Sequence, residues 1–480
     1  MSLEPRPLPG ADVRALREAA RDQAKGVSSA LVIAVAMVLA LTAVAAFVVL
    51  DYRFGQASHR LVKVLIAVSL FGVILVWPKI GLYVFPLLLP FLLWFPKIPI
   101  PGVNALNGIL ASVYFTWALS RMLRREPIFR GGRVGWVLAA VLGIAALSVV
   151  RGGAFPTGYY YDTSGSALSL FRCGVTFLTY FIALAMVRGE RDRKILSWMV
   201  VIGLLAEALV TVRFGRSGRG GRAVGSIGQA NELGAFLAMY SVLAAALFFG
   251  TRNLLARGLL AGTVLAGAYA NILSLSRGSI LAMGTGLLYV TFRRSRMLGV
   301  LLVLVIAASP LWAPDYLKDR MTSTQTEVDG SDEMQLENSS QLRIDTWKAI
   351  IRLVSDHPID GVGFAGLEYV LPETGEELGI EVKDSAHNTY LRFLGEMGIF
   401  GLGFFCLLLW KCWRLGEDAA RVATRPFDRQ LAIGLAGATI TMAVSCAFGD
   451  RFFSIVIAGG FWLVCALVDD ILSERAGAPA

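Results

Sequence analysis

The sequence predicts an all-α protein, a polytopic bundle of membrane helices with one long loop at its outer face. Of its 480 residues, 56% are apolar and only 17% are charged, and the mean hydropathy is +0.63. Soluble domains carry roughly 25% charged residues. Apolar stretches that are long enough to cross a bilayer recur along the whole chain. Each must be helical, because lipid offers no hydrogen-bond partner to the backbone. A water-soluble globular protein is therefore excluded.

The apolar stretches divide the chain into about 14 predicted spans. They lie at 28–50, 62–77, 79–95, 103–120, 134–150, 167–187, 195–212, 233–250, 258–276, 278–292, 297–314, 389–410, 430–449 and 452–468. The predicted organisation is a tail at 1–27, a bundle of about eleven spans at 28–314, a loop domain at 315–386, about three spans at 387–470 and a tail at 471–480. The first span is too long for the apolar region of a cleaved signal peptide.

Charge between the spans predicts the topology. The loops at 121–133, 188–194, 292–296 and 411–429 are basic and fall between alternate pairs of spans. Such loops remain in the cytoplasm, so we expect both termini to be cytoplasmic. The net charge of +10 is largely carried by these short loops. It is therefore not evidence for nucleic-acid binding, and the expected surroundings are membrane lipids.

Two outer segments depart from this charge pattern. Residues 213–232 hold four arginines close together, at Arg213, Arg216, Arg219 and Arg222. The loop at 315–386 holds 16 acidic and 6 basic residues, a net charge of −10. Loops of this length in a compact protein are functional or disordered. Its first part, 322–340, has the composition of a flexible acidic linker.

The second part of the long loop has helical periodicity. Apolar residues recur at helical spacing after a serine cap, and Pro358 ends the run. They are Ile344, Trp347, Ile350, Ile351 and Val354. We expect an amphipathic helix along the membrane-facing rim of the bundle. The glycines of GVGFAG (361–366) predict a tight turn after it, and His357 has the position of a turn residue.

Arginines on the outer side are candidate ligands for an anion. Arg277 lies between two apolar runs with almost no loop, and an ionisable residue there is a functional hypothesis by default. In the arginine cluster we favour Arg222, the residue nearest the next span. Arg343 and Trp347 are four residues apart and share one helix face. The alternatives are arginines that snorkel to lipid headgroups and a tryptophan that anchors the helix at the interface.

His387 and Asn388 lie where the long loop re-enters the membrane. A histidine titrates near neutral pH and could remove a proton from a hydroxyl group. A lone histidine is more often a capping or hydrogen-bonding residue. Two pairs of charged residues lie within spans. Arg392 and Glu396 are four apart on one helix, and Arg172 and Glu207 are on different helices, where they could pair with each other.

The sequence offers few metal ligands. The three histidines are scattered, and the five cysteines lie in or beside spans. No phosphate-binding loop or dinucleotide fingerprint is present. We therefore expect no cofactor, no metal and no use of nucleotide substrates.

Four motifs together resemble the O-antigen ligase and polymerase superfamily. They are GSIGQANELGAFLA (225–238), LSLSRGS (273–279), RIDTWKAIIRLVSDHPIDGVGFAG (343–366) and SAHNTYLRFLGEMGIFGLG (385–403). The order R-x-x-x-W, HP-x-x-G-x-G and HN is the specific part of this resemblance. Gln229 is a departure, because many relatives carry a proline-containing form of the first motif.

The resemblance implies a GT-C-like membrane glycosyltransferase of the bacterial inner membrane. It would move a glycan from undecaprenyl pyrophosphate to a sugar hydroxyl of lipid A-core at the periplasmic face, without a metal and with inversion. Arg277 and Arg343 would bind the pyrophosphate together with Arg222, and His387 would be the catalytic base. Asn388, Trp347 and Asn231 would support them.

Two other functions stay open. The first is a polymerase of the same superfamily, which would extend a growing polysaccharide chain as acceptor. The second is a transporter or flippase of an anionic lipid. A transporter is expected to carry charges deep in the bundle and a repeat between its halves, and the sequence shows few such charges and no obvious repeat.

Overall fold

A computed structural model of the chain describes residues 70–95, 101–128, 130–154, 160–215, 221–312, 325–327, 334–336, 338–475 and 477. Within these residues the chain is almost entirely helical, which confirms the polytopic helical membrane fold. The predicted tail at 1–27 and the predicted first span at 28–50 lie outside the described residues. Residues 70–76, in the predicted second span, are helical.

The helices before the long loop are α1 (Pro78–Leu88), a following 3-10 helix (Leu89–Trp94), α2 (Ala105–Leu123), α3 (Gly135–Ala154), α4 (Thr163–Met186), α5 (Gly189–Phe214), α6 (Ala230–Gly250), α7 (Leu254–Leu273), α8 (Arg277–Arg294), α9 (Arg296–Ala307) and α10 (Ser309–Trp312). The helices after it are α11 (Asn338–Asp356), α12 (Leu367–Leu378), α13 (Thr389–Val422), α14 (Pro426–Cys446) and α15 (Ile455–Arg475).

Seven of these helices are long and apolar enough to cross a membrane: α3, α4, α5, α6, α7, α13 and α15. The other predicted spans inside the described residues are helical but shorter or less apolar. The span predicted at 79–95 is α1 and its 3-10 helix, because Pro86 and Pro90 interrupt regular hydrogen bonding there. The span predicted at 297–314 ends early, since α9 stops at Ala307. Among the described residues, 14 helices of spanning length are therefore not found.

Among these seven helices, α15 and α6 are the most deeply buried. The apolar window of α15 is 100% buried by other parts of the chain and that of α6 is 83% buried. Helices that are apolar all round belong at the centre of a bundle. α6, α8 and α14 pack on one another, and α13 packs on α14. These central helices carry the elements of the candidate site at one of their ends.

The long loop is more structured than its composition predicted. Within the expected linker at 322–340, strands β1 (Gln325–Glu327) and β2 (Met334–Leu336) pair antiparallel, with Gln325 opposite Leu336. Helix α11 already begins at Asn338 and ends at Asp356, just before Pro358, as predicted.

The apolar face of α11 packs on protein, whereas the expected place of this helix on the membrane-facing rim stays a prediction. Ile350 and Leu353 form a small core with Leu367 and Leu371 of α12. Ile351, which the periodicity also placed on the apolar face, is 57% exposed. The physical reason is that α12 and the following loop offer a closer apolar surface to this face.

Ion pairs join the predicted cytoplasmic loops to one another. Arg193, which is fully buried, makes a bidentate contact with Asp428 at 2.9 and 3.1 Å and contacts Asp470 at 2.6 Å. Arg293, at the end of α8, lies 3.2 Å from Glu417 near the end of α13. These contacts place the loops after α4, α8 and α13 and the end of α15 at one common end of the bundle. The start of α8 and the start of α13 consequently lie at the opposite end.

Candidate functional site

The turn between α7 and α8 positions Arg277. Leu275 in this turn has a φ of 49°, in the left-handed region, and Arg277 is the first residue of α8. Asn271 and Ser279 fix the turn from both sides, since the Ser279 hydroxyl donates to Asn271 Oδ1 at 2.7 Å. The half-buried Arg277 side chain reaches across to α11 and donates from Nη2 to Ser340 Oγ at 3.2 Å.

Arg222 joins the segment before α6 to the same turn. Its Nε donates to the carbonyl oxygen of Ser274 at 3.0 Å, and its Nη2 donates to Asn231 Oδ1 at 2.6 Å. The structure thus brings together Arg222 and Asn231, two of the residues predicted from sequence. It places Arg222 against Ser274, which precedes Arg277 by three residues. Arg216 and Arg219 of the predicted cluster lie outside the described residues. Arg213 lies in the last turn of α5, with its guanidinium carbon 5.0 Å from the centre of the Phe214 ring.

Helix α11 connects Arg277 to His387. Ser340, which accepts from Arg277, lies one turn before Arg343, and Arg343 lies one turn before Trp347. The Trp347 indole Nε1 donates to the carbonyl oxygen of Ala386 at 2.9 Å. Because side chains three or four residues apart share a helix face, one face of α11 contacts the α8 turn at its start and the residue before His387 further on.

His387 is held in a constrained conformation. Its φ is 46°, in the left-handed region that non-glycine residues seldom adopt. Its backbone N–H donates to Ser385 Oγ at 3.4 Å. Burial first, and then the positive charges of Lys383 and Arg343, lower the pKa of His387 below its usual value of 6.5. The imidazole is therefore neutral at physiological pH, which is the protonation state that a general base requires.

Asn388 has a structural role that its sequence position alone left open. It is the N-cap of α13, and its Oδ1 accepts from the backbone N–H groups of Tyr390 at 3.0 Å and Leu391 at 3.2 Å. N-cap asparagines satisfy N–H groups that have no partner within the helix. The cap fixes where α13 begins and hence where the preceding His387 lies.

The turn between α14 and α15 completes the site, although the sequence did not predict that it belongs there. The Ser385 hydroxyl donates to Asp450 Oδ2 at 2.8 Å, and the Thr389 hydroxyl donates to the carbonyl oxygen of Gly449 at 2.8 Å. On its other side, Phe448 lies so close to α8 that a Cβ added at Gly278 would be 2.6 Å from the Phe448 Cβ. The only sequence signal was the charged pair in FGDRFF, between two apolar runs.

One predicted intramembrane ion pair is present and the other is absent. Arg392 Nε lies 3.0 Å from Glu396 Oε1, as the four-residue spacing predicted. Glu207 does not pair with Arg172, which corrects that expectation. Glu207 instead accepts from the backbone N–H of Ser226 at 2.8 Å, whereas Arg172 lies on the exposed face of α4.

The HP-x-x-G-x-G motif attaches the end of α11 to α13. Helix α13 is interrupted at Gly398, where φ is 65° and ψ is −164°. The backbone of the motif occupies this break, since Val362 N–H donates to the Gly395 carbonyl at 2.9 Å and Ile399 N–H donates to the Pro358 carbonyl at 3.0 Å. We call residues 358–363 docked on this break the α11–α13 clamp. His357 directly follows α11, in the turn where the sequence predicted it.

The site is basic and contains no metal-binding cluster in the part of the chain that the structure describes. Within the ranges with described side chains, no group of three or more His, Cys, Asp or Glu residues is placed to hold a metal ion. Arg343, Lys383 and Arg451 exert positive potential on His387, and Asp450 exerts negative potential. Such an arrangement can bind an anionic group and accept a proton beside it.

Comparison with known proteins identifies a family domain over part of the chain. Residues 261–406 match the sequence model of a family described as O-antigen ligase. The match covers less than a third of the chain and includes Arg277, Arg343, Trp347 and His387. No curated protein matches the chain.

Proposed function

We propose that this member of the O-antigen ligase and polymerase superfamily is a membrane glycosyltransferase of the ligase type. It would transfer a glycan from undecaprenyl pyrophosphate to a sugar hydroxyl of lipid A-core, at the periplasmic face of the bacterial inner membrane. The observation that carries the proposal is the connection along α11. Ser340 accepts from Arg277, and Trp347 donates to the residue before His387, with Arg343 between them.

The arginines would act on the donor. A diphosphate offers oxygens that guanidinium groups bind through paired hydrogen bonds, and each charged hydrogen bond contributes on the order of 1.5–3 kcal/mol. As the glycosidic bond breaks, negative charge grows on the leaving diphosphate. Arg277, Arg343 and Arg222 would stabilise that charge.

His387 would act on the acceptor. Its neutral imidazole would take the proton of the attacking hydroxyl, a role that typically accelerates a reaction by about 10²–10⁴-fold. Attack by the acceptor opposite the diphosphate inverts the anomeric carbon. The electron pair of the glycosidic bond leaves with the diphosphate, and His387 holds the proton, so the step needs no metal.

Reconstitution of the purified protein with a lipid-linked glycan and lipid A-core tests the proposal. We expect His387→Ala to lower the rate of transfer by about 10²-fold or more, with normal abundance in the membrane. His357→Ala is the matched control, because that histidine lies in the turn after α11 and we expect it to keep full activity. Full transfer by His387→Ala would refute the base assignment.

The same assay separates the alternatives. A single product shift on lipid A-core is the result expected of a ligase, whereas a ladder of lipid-linked products would make the protein a polymerase. Movement of the lipid across proteoliposomes without cleavage of a glycosidic bond would instead make it a transporter.

A further inference from the structure

The turn between α14 and α15 contains a buried guanidinium group that the proposed mechanism does not use. Arg451 is only 6% exposed. Its backbone N–H donates to the Gly449 carbonyl, but among the described residues its guanidinium makes no hydrogen bond and has no carboxylate oxygen within 4.0 Å. The side chain folds back over Gly449, where an added Cβ would be 2.7 Å from Arg451 Nε.

A buried arginine without a partner is unfavourable in a protein. Guanidinium has five N–H donors and stays protonated in proteins, and a buried charge without a partner destabilises a fold. Glu232 and Asp450 attract Arg451 from a distance, but burial outweighs them and lowers the pKa of Arg451. The N–H donors and the charge of Arg451 therefore need an anionic partner, and this points to an anion that the substrate brings.

The position of Arg451 identifies which anion. Its turn lies between the start of α8, through Phe448 on Gly278, and the start of α13, through Gly449 bonded to Thr389. Arg451 also exerts positive potential on His387. It therefore lies at the junction between the arginine of the α8 turn and the proposed base.

We propose that Arg451 binds a phosphate oxygen of the lipid diphosphate, in addition to the arginines predicted from the sequence. This inference rests on the proposed function, since it assigns Arg451 to the donor of the same site. In the bound state the substrate supplies the anionic partner that the free protein lacks. The charge of Arg451 thus destabilises the free protein, and it stabilises the protein that has bound the diphosphate.

This dual effect gives a test that does not depend on transfer activity. The full-length protein in detergent is compared with Arg451→Met and Arg451→Lys, and its thermal unfolding is followed with and without a short-chain prenyl diphosphate. We expect Arg451→Met to raise the Tm of the free protein and to weaken binding of the probe by about tenfold or more. Arg451→Lys keeps the charge but loses the planar pair of donors, so we expect several-fold weaker binding.

Arg421→Met is the matched control. Arg421 belongs to the exposed ion pairs at the opposite end of α13, 3.6 Å from Asp418, and its removal should change neither Tm nor affinity. If Arg451→Met lowers the Tm of the free protein and leaves the affinity for the probe unchanged, Arg451 is structural and the inference is wrong. The Lys variant decides the matter if the Met variant does not fold, because unchanged binding by it also overturns the inference.

Two further arms separate this inference from the proposed function. Anionic phospholipid replaces the prenyl diphosphate in one arm, and an Arg451-dependent gain in Tm with phospholipid alone would assign the residue to membrane headgroups and overturn the inference. In the other arm, glycan transfer by the unchanged protein is measured. If the protein transfers glycan but the probe binds equally well with and without Arg451, only the role of Arg451 is refuted. Absence of both transfer and probe binding refutes the proposed function itself.

Discussion

At the scale of single residues, the site depends on a histidine whose ring and backbone are both constrained. The left-handed φ of His387 costs about 1 kcal/mol or more for a residue with a Cβ. The hydroxyl of Ser385 and the cap at Asn388 fix the residues on either side. Strain of this kind persists where the surrounding structure determines it, and it concentrates at functional sites. The constraint fixes the direction from which an acceptor hydroxyl would meet the imidazole.

The pH dependence of transfer should report the charges around His387. Its pKa is lowered, so the neutral base is present at neutral pH and activity should fall only below the ordinary value of 6.5. Lys383→Gln removes one of the positive charges that lower this pKa. The pKa of His387 should therefore rise, and the midpoint of the acid limb should move to higher pH in a profile of transfer rate against pH.

The control for the pH profile is Lys348→Gln. Lys348 is exposed on α11 and pairs with Asp345 at 2.8 Å, and it does not contribute to the lowered pKa of His387. Its removal should leave the midpoint unchanged. A wild-type midpoint above 6.5, or equal shifts in both variants, would contradict the electrostatic account of the site.

At the scale of elements, the geometry of the site depends on the α11–α13 clamp. α11 carries Arg343 and α13 begins just after His387, so the contact between these helices sets the separation of the two residues. Gly361 has a φ of 67°, and a Cβ there would lie 2.5 Å from the carbonyl carbon of Glu396. The motif glycines are therefore explained by a close approach of two backbones, in addition to the tight turn that the sequence predicted.

Gly361→Ala should loosen the clamp. The left-handed φ and the contact with the Glu396 carbonyl together should lower the free energy of unfolding by about 2–4 kcal/mol, measured as a lower Tm in detergent. Transfer should slow at temperatures where the variant is still folded, since Arg343 and His387 are no longer held in register.

Gly403→Ala is the control, because a Cβ at Gly403 meets nothing within 4 Å. Alanine there should be neutral or stabilising by about 1 kcal/mol or less. Equal losses in both variants would show that the clamp has no special role.

Sequence patterns predicted the helices better than their interruptions. The run at 389–410 reads as one continuous span, because the glycines around Gly398 do not lower its hydropathy enough to reveal a break. The helix after the acidic linker was predicted from its periodicity, but its packing partner α12 was not. The turn containing Asp450 and Arg451 was missed for a related reason. Two charged residues between apolar runs look like an ordinary loop until the fold brings them to His387.

At the scale of the whole molecule, the two ends of the bundle differ in how they use charge. At one end, buried arginines such as Arg193 are matched by carboxylates of α14 and α15. At the other end, the candidate site holds an excess of cations around His387. Matched charge stabilises helix ends, whereas unmatched cations are suited to an anionic ligand.

The basic loops predicted which segments lie together, and the ion pairs confirm that grouping. Which compartment each end faces stays a prediction from the positive-inside rule.

Cysteine labelling would test that orientation directly. With the five native cysteines replaced by alanine, single cysteines are introduced at two exposed positions. Glu377→Cys lies on α12 beside the candidate site, and Arg252→Cys lies in the turn between α6 and α7 at the opposite end. We expect a membrane-impermeant maleimide to label Glu377→Cys in right-side-out vesicles and Arg252→Cys only in inside-out vesicles.

Labelling after detergent treatment controls for accessibility of each thiol, and transfer activity shows that each variant is folded. The reverse pattern would place the site on the cytoplasmic side, where a lipid-linked donor already moved across the membrane could not reach it.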